Sequence, residues 1–184
     1  YPSRYNALLN DEQRAFCRSI YQFKQGDIHG IEFFKTCMNA LQLKKRPYHI
    51  MFMPCSNWIK YGQRFKRLDW YIGKHRQDLT SGLYDVDICD ARESLHEAKG
   101  GEKRILERNY LITGNIKGKE IIIIDDVLTT GQSVADYKEE IERCGGKVVA
   151  AIFYGKTFSM PSMLLVQIHV WGNHIAHIIE RMTK

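Results

Sequence analysis

One stretch carries residue types in an order that can do chemistry: Ile121-Ile122-Ile123-Ile124-Asp125-Asp126-Val127-Leu128-Thr129-Thr130-Gly131-Gln132-Ser133. A continuous β-branched run leads into two acids, then a short Thr/Gly/Ser loop, then a helical segment. The run reads as a central parallel strand covered on both faces. The carboxyl end of such a strand is where α/β proteins bind ligands. Successive amides of Thr129–Ser133, with the Thr130 and Ser133 hydroxyls, can converge on one phosphate, and the following helix adds its positive end. Gly131 lets the backbone come close where a Cβ would obstruct. Two adjacent carboxylates would repel that phosphate, so they must serve something short of it. Vicinal ribose hydroxyls, which donate hydrogen bonds to carboxylate, fit that role. The loop therefore reads as a cradle for ribose 5-phosphate. The stretch lacks the Gly-Lys-Ser/Thr of a nucleoside-triphosphate loop and the Gly-x-Gly-x-x-Gly of a dinucleotide loop.

The elements that must position this stretch follow from apolar spacing. Asn10 or Asp11 can cap a helix running to about Gln25, with Phe16, Ile20 and Phe23 inward and Gly26 ending it. A second helix around Ile31–Leu43 sets Ile31, Phe34, Met38 and Leu41 on one face. Lys44-Lys45-Arg46-Pro47 breaks the pattern, and Tyr48–Met53 reads as the first buried strand. Asn57–Arg76 is basic and aromatic, a stripe expected of a helix packed on a sheet with its cations in solvent. Tyr84–Cys89 reads as a strand, Ala91–Arg104 as a polar segment, Ser133–Cys144 as a helix stopped by Gly145-Gly146, and Lys147–Tyr154 as the next strand. Leu164–Val170 is expected as a short strand and His174–Thr183 as a closing helix. Strand–helix–strand order predicts an α/β fold with a doubly wound, mostly parallel sheet. We expect one domain over residues 1–184, with a helical N-terminal segment (1–46), a core (47–156) and a tail (157–184).

Composition narrows the classes. A chain of 184 residues, 44% hydrophobic and 26% charged, can bury a core without staples. No apolar run approaches the ~20 residues of a membrane helix, and no basic-then-apolar segment opens the chain, so a cytoplasmic, non-membrane protein is expected. A start at Tyr1 rather than Met suggests trimming. The five cysteines form no Cys-x-x-Cys pair, and reduced buried or half-buried thiols are expected. Net charge of +6 and a pI near 9.0 suit anionic ligands: phosphates, nucleotides or nucleic acid.

Residues Ile121–Ser133 resemble the phosphoribosyl diphosphate (PRPP) motif of type I phosphoribosyltransferases. The resemblance implies that Asp125 and Asp126 contact ribose hydroxyls and that Val127, Leu128, Thr129, Thr130, Gly131, Gln132 and Ser133 grip the 5-phosphate. Glu107-Arg108-Asn109, Met53-Pro54-Cys55 and Gly62-Gln63-Arg64-Phe65 are similar to elements of the competence-protein ComF-like branch. That branch's N-terminal zinc-binding cysteines are absent, and so is the Asn of its Arg-Gly-Phe-Asn stretch.

By the same resemblance, diphosphate is held after the first core strand, where Pro54, Cys55 and Ser56 stand, with a strand-to-helix turn as the plainer alternative. A loop over Glu93–Arg104 could close on the reacting centre, with Lys99, Lys103 and Arg104 meeting diphosphate; an ordinary solvated connection is the alternative. Arg108 is either an anion ligand or a salt-bridged structural residue. His169, His174 and His177 read better as part of a packing helix than as a metal site. The implied activity is Mg²⁺-dependent transfer of a 5-phosphoribosyl group from PRPP to an unidentified base, releasing diphosphate. Mg²⁺ would come with PRPP, held through water by Asp125 and Asp126. The alternative is a non-enzymatic PRPP or nucleotide sensor, or a nucleic-acid-associated accessory protein in DNA uptake. A homodimer stays open.

Overall fold

The computed structural model describes residues 11–41, 43, 47–89 and 109–157. The proposed closing loop with Lys99, Lys103 and Arg104, Arg108, and the C-terminal strand, helix and histidines lie outside the described residues.

The elements run α1 (Asp11–Lys24), α2 (His29–Ala40), β1 (Tyr48–Phe52), α3 (Trp58–His75), β2 (Leu79–Ser81), β3 (Val86–Ile88), β4 (Tyr110–Ile112), β5 (Glu120–Leu128), α4 (Gln132–Arg143) and β6 (Lys147–Lys156). The main sheet has the order β2-β1-β5-β6 and is parallel throughout. An antiparallel pair, β3-β4, stands apart from it. From β1 the chain steps to β2 on one side, and from β5 to β6 on the other. Right-handed crossovers therefore put α3 and α4 on opposite faces, which makes the sheet doubly wound. The step direction reverses between β1 and β5, so their carboxyl ends flank the crevice where such sheets bind ligands.

The centre of the sheet is dry: Ile50, Met51, Phe52 and Ile121–Ile124 are all buried. From α3, Tyr61, Phe65, Leu68 and Ile72 face the core, and Phe65 stacks on Phe52 with centroids 4.8 Å apart. Phe23 of α1 meets Phe65 edge-on and lies parallel to Tyr154 of β6, so α1 is packed onto the α3 side of the sheet. On the other face, Tyr137 of α4 is buried against Tyr110 of β4.

Several expectations need correction. β5 does not stop at Ile124 but runs through both acids to Leu128, so the loop proper is Thr129–Gly131. The strand expected over Tyr84–Cys89 is confined to Val86–Ile88, with Tyr84 exposed outside it. Strands β2 and β4, three residues each, carry too short a pattern to be read from spacing. Phe16 does not point inward; it is 48% exposed and reaches only the rim of Tyr154. Trp58 and Trp70 likewise project into solvent, because only the Tyr61-Phe65-Leu68-Ile72 stripe reaches the sheet. Cys89 is exposed rather than buried.

At the amino edge of the sheet, His49 is buried between two partners. Nε2–H donates to Asp85 Oδ2 at 2.7 Å, and Nδ1 accepts from the Thr80 hydroxyl at 2.7 Å. A Cβ on Gly114 would sit 2.2 Å from the Asp85 carboxyl, so that position needs glycine. Burial first, and then Lys119, lower the imidazole's proton affinity, while Asp85 opposes them. The ring therefore stays neutral in the fold. A depressed value means the native state binds fewer protons than the unfolded chain, so this stabilisation is complete above the ordinary value of 6.5 and is lost as pH falls below it. Urea midpoints of wild type and His49→Gln should converge between pH 7.5 and pH 5.5; a constant gap would contradict a neutral buried ring.

Candidate functional site

Parallel pairing of β1 with β5 sets Phe52 beside Ile124, and the Met53 amide continues the ladder to the Ile124 carbonyl at 2.9 Å. The segments that follow, Pro54-Cys55-Ser56 and Asp125-Asp126, thus emerge side by side at the carboxyl edge. Asn57 caps α3 by accepting from the Lys60 amide at 2.9 Å, which fixes the turn after β1. The Asn109 side-chain amide donates to the Cys55 carbonyl at 2.7 Å and pins that turn from the other side. Ser56 is exposed and available as a donor, while Cys55 is buried. Burial pushes the Cys55 thiol up to about 11, so it remains a protonated packing group and not a nucleophile.

The acid pair is not solvated. Asp126 is 5% exposed, and its Oδ2 lies 2.8 Å from Arg64 Nη1 and 3.3 Å from Lys24 Nζ. Asp125 is half-buried, 3.7 Å from the same guanidinium nitrogen, and its Oδ1 accepts the Asp126 amide at 2.7 Å. Burial first, and then the Asp126 charge, push the Asp125 carboxyl up to about 7. Neither Lys24 nor Arg64 is recognisable as part of the site from spacing. Arg64 lies within the basic, aromatic stretch and Lys24 closes α1, and only the packing of α1 and α3 on this end of the sheet brings them to the acids.

Beyond the acids, the Leu128 carbonyl accepts the Thr157 amide at 2.9 Å, tying the end of β5 to the end of β6. Thr129, Thr130, Gln132 and Ser133 are exposed around the loop. Gly131 sits at the N-cap of α4 with φ of +86° and contributes no side-chain cap. The first-turn amides of α4 thus point out of the helix end as donors for an anion. A Cβ at Gly131 would be strained by the left-handed backbone but would meet nothing closer than 3.9 Å. Gly131→Ala should cost about 1 kcal/mol of stability and weaken binding of inorganic phosphate; an unchanged phosphate Kd would remove this loop from the site.

Gly155-Lys156-Thr157 does spell Gly-Lys-Thr, but position 150 is Ala and the segment ends β6 instead of opening a helix. An open groove of about 640 Å³ runs along the outer face of α3 past Trp58, Gly62, Lys66, Trp70 and Tyr84. Neither acid lines it, nor does any residue of the Thr129–Ser133 loop. Among the described residues, no helix is long and apolar enough to cross a membrane, and no three His, Cys, Asp or Glu side chains converge as a metal cage. Mg²⁺ needs less: one or two carboxylates, with ligand oxygens and water completing the shell. Asp125, whose side chain is the more exposed of the pair, fits that requirement, whereas Asp126 is already balanced by Lys24 and Arg64.

The chain is similar in part to known proteins. An orotate phosphoribosyltransferase from Sulfolobus acidocaldarius is 42% identical over 57 residues, 30% of this chain and 26% of that protein. The transcriptional regulator GfcR from Methanocella arvoryzae is 30% identical over 98 residues, 53% of this chain and 38% of that protein. The chain thus spans well under half the length of these curated relatives. A hypoxanthine-guanine phosphoribosyltransferase structure from Bacillus anthracis superposes with a TM-score of 0.37 at 13% identity, over 78% of this chain and 75% of that one. Residues 77–157, from just before β2 to the end of β6, match the family model of the phosphoribosyl transferase domain.

Proposed function

We propose that the chain transfers the 5-phosphoribosyl group of PRPP to a nitrogen nucleophile, releasing diphosphate. The observation that carries this reading is the junction of β5 and α4. A paired, cation-balanced acid couple stands on the strand, and one turn beyond it stands a Gly131-capped loop whose Gln132 amide donates at 3.4 Å to the Thr130 hydroxyl oxygen.

In this reading the first-turn amides of α4, with the Thr130 and Ser133 hydroxyls, hold the 5-phosphate. The acid pair receives the ribose hydroxyls. Pro54, Cys55 and Ser56 run side by side with the acids; Pro54 has no N–H and shapes the turn, while the Cys55 and Ser56 amides and the Ser56 hydroxyl are the donors to the diphosphate. The C1–O bond to diphosphate breaks and a C1–N bond to the acceptor forms, through a centre of oxocarbenium character. Binding energy gathered at the phosphate, remote from C1, is what aligns that centre. Lys99, Lys103, Arg104 and Arg108 are assigned to the leaving diphosphate on resemblance alone. Bound Mg²⁺ would neutralise diphosphate charge beside Asp125 and Asp126. The placement nearest the ComF-like branch rests on the resemblance of Glu107-Arg108-Asn109, Met53-Pro54-Cys55 and Gly62-Gln63-Arg64-Phe65.

A second reading is favoured by the GfcR match, the longest of the curated alignments described above. There the same pocket would bind a phosphoribosyl ligand as a signal, without turnover. Incubating the protein with PRPP, Mg²⁺ and a panel of purine and pyrimidine bases, and measuring diphosphate, separates the two. Base-dependent diphosphate release supports transfer. Saturable PRPP binding with no release for any base supports the sensor.

A further inference from the structure

We propose that Lys24 and Arg64 are positioning residues that reserve Asp126 as their counter-ion, so that Asp125 alone presents its carboxylate to the ribose. The inference rests on the phosphoribosyl reading and divides labour within it.

Two cations from different elements converge on one oxygen. Arg64 Nη1, from α3, lies 2.8 Å from Asp126 Oδ2, and Lys24 Nζ, from α1, lies 3.3 Å from the same atom. That oxygen has essentially no solvent-accessible surface, so a ribose hydroxyl cannot reach it without displacing a cation. The side chain of Asp125 is more exposed, 17% against 7%, and stands farther from the guanidinium, at 3.7 Å. The Asp126 amide fixes its Oδ1 at 2.7 Å. Its carboxylate is therefore held in one orientation by the backbone, with Oδ2 left for a hydroxyl donor. Consecutive strand residues project in different directions, which lets one acid turn to the helices while its neighbour turns to the crevice.

The charge arithmetic requires such an arrangement. Two adjacent ionised carboxylates at the edge of a dry sheet repel each other and also repel an incoming diphosphate. Two cations anchored on Asp126 offset that charge, and Arg64 stands nearer to Asp126 Oδ2, at 2.8 Å, than to Asp125 Oδ1, at 3.7 Å. Lys24 lies outside residues 77–157, so α1 belongs to the working site and is more than a cover for the sheet.

The test uses ribose 5-phosphate and inorganic phosphate as separate probes, titrated calorimetrically into wild type, Lys24→Met, Lys24→Arg and Asp126→Asn. Lys24→Met should weaken ribose 5-phosphate roughly fivefold, within the range of coupling between contacting residues, and leave inorganic phosphate within about twofold. Lys24→Arg should restore the loss. In an Asp126→Asn background, Lys24→Met should add nothing further. If Asp126→Asn does not fold, the Met and Arg pair decides alone, because Lys24 is a quarter exposed at a helix end. The proposal is overturned if Lys24→Met binds ribose 5-phosphate as wild type does, or loses both probes equally. Wild type that binds neither probe would overturn the phosphoribosyl reading itself.

Discussion

An Asp125→Asn variant is expected to bind PRPP about 100-fold more weakly than wild type, yet to unfold at no lower a temperature at pH 8. The affinity loss follows from chemistry. A carboxylate accepting from ribose hydroxyls makes charge-assisted hydrogen bonds, each worth about 1.5–3 kcal/mol, and an amide oxygen replaces them poorly. The stability result follows from burial. The desolvated carboxyl, facing Asp126, is pushed up to about 7, so the native state holds its proton more tightly than the unfolded chain. A raised acid favours folding at low pH and loses that contribution as pH rises from the ordinary carboxylate value towards 7. At pH 8 wild type thus carries an unfavourable buried charge that Asn removes. Function and stability should move in opposite directions, the pattern of a group retained for binding. Equal PRPP affinity in the variant would remove Asp125 from the site, and a large fall in Tm would show that the carboxylate is structural.

Phe65→Ala should destabilise the protein by about 3–5 kcal/mol, the range for emptying a buried aromatic site. Phe65 is fully buried and joins three elements at once. It stacks on Phe52 of β1 at 4.8 Å, meets Tyr61 of its own helix at 5.5 Å and meets Phe23 of α1 at 6.2 Å. Such a loss is a large part of the ~5–15 kcal/mol that holds an ordinary domain together. The urea midpoint should fall with the slope unchanged, as for a cavity in an otherwise intact fold. Arg64 precedes Phe65 and Lys24 follows Phe23, so the same cavity should loosen both cations at Asp126 and weaken PRPP binding. A loss below about 1 kcal/mol would show that α1 repacks freely, and the site would then owe little to its placement.

Much of this was legible because it is written locally. Four consecutive isoleucines admit a dry central strand, Gly131 announces a tight strand-to-helix turn, and Ile31, Phe34 and Met38 mark one face of α2. The acids were legible as chemistry but not as strand. Extending β5 through Asp126 requires the charge to be balanced, and both balancing cations come from elements distant in sequence. Nothing in the local sequence tells that Asn109 grips the Cys55 carbonyl, because that contact depends on the segment before β4 lying beside the turn. In α3 the aromatic spacing offered a stripe wider than the sheet can cover, and nothing local says that Trp58 and Trp70 are the rings left outside. Three-residue strands such as β2 exist because β1 offers them an edge, not because Leu79-Thr80-Ser81 prefers extension.

The central claim, that the β5–α4 junction holds ribose 5-phosphate, is tested most directly by a crystal structure of the chain with PRPP and Mg²⁺. The account predicts the 5-phosphate within hydrogen-bond distance of the Thr130–Ser133 amides, with the ribose hydroxyls directed at Asp125. PRPP bound elsewhere, for instance along the Trp58–Trp70 groove, with the loop empty, would contradict it.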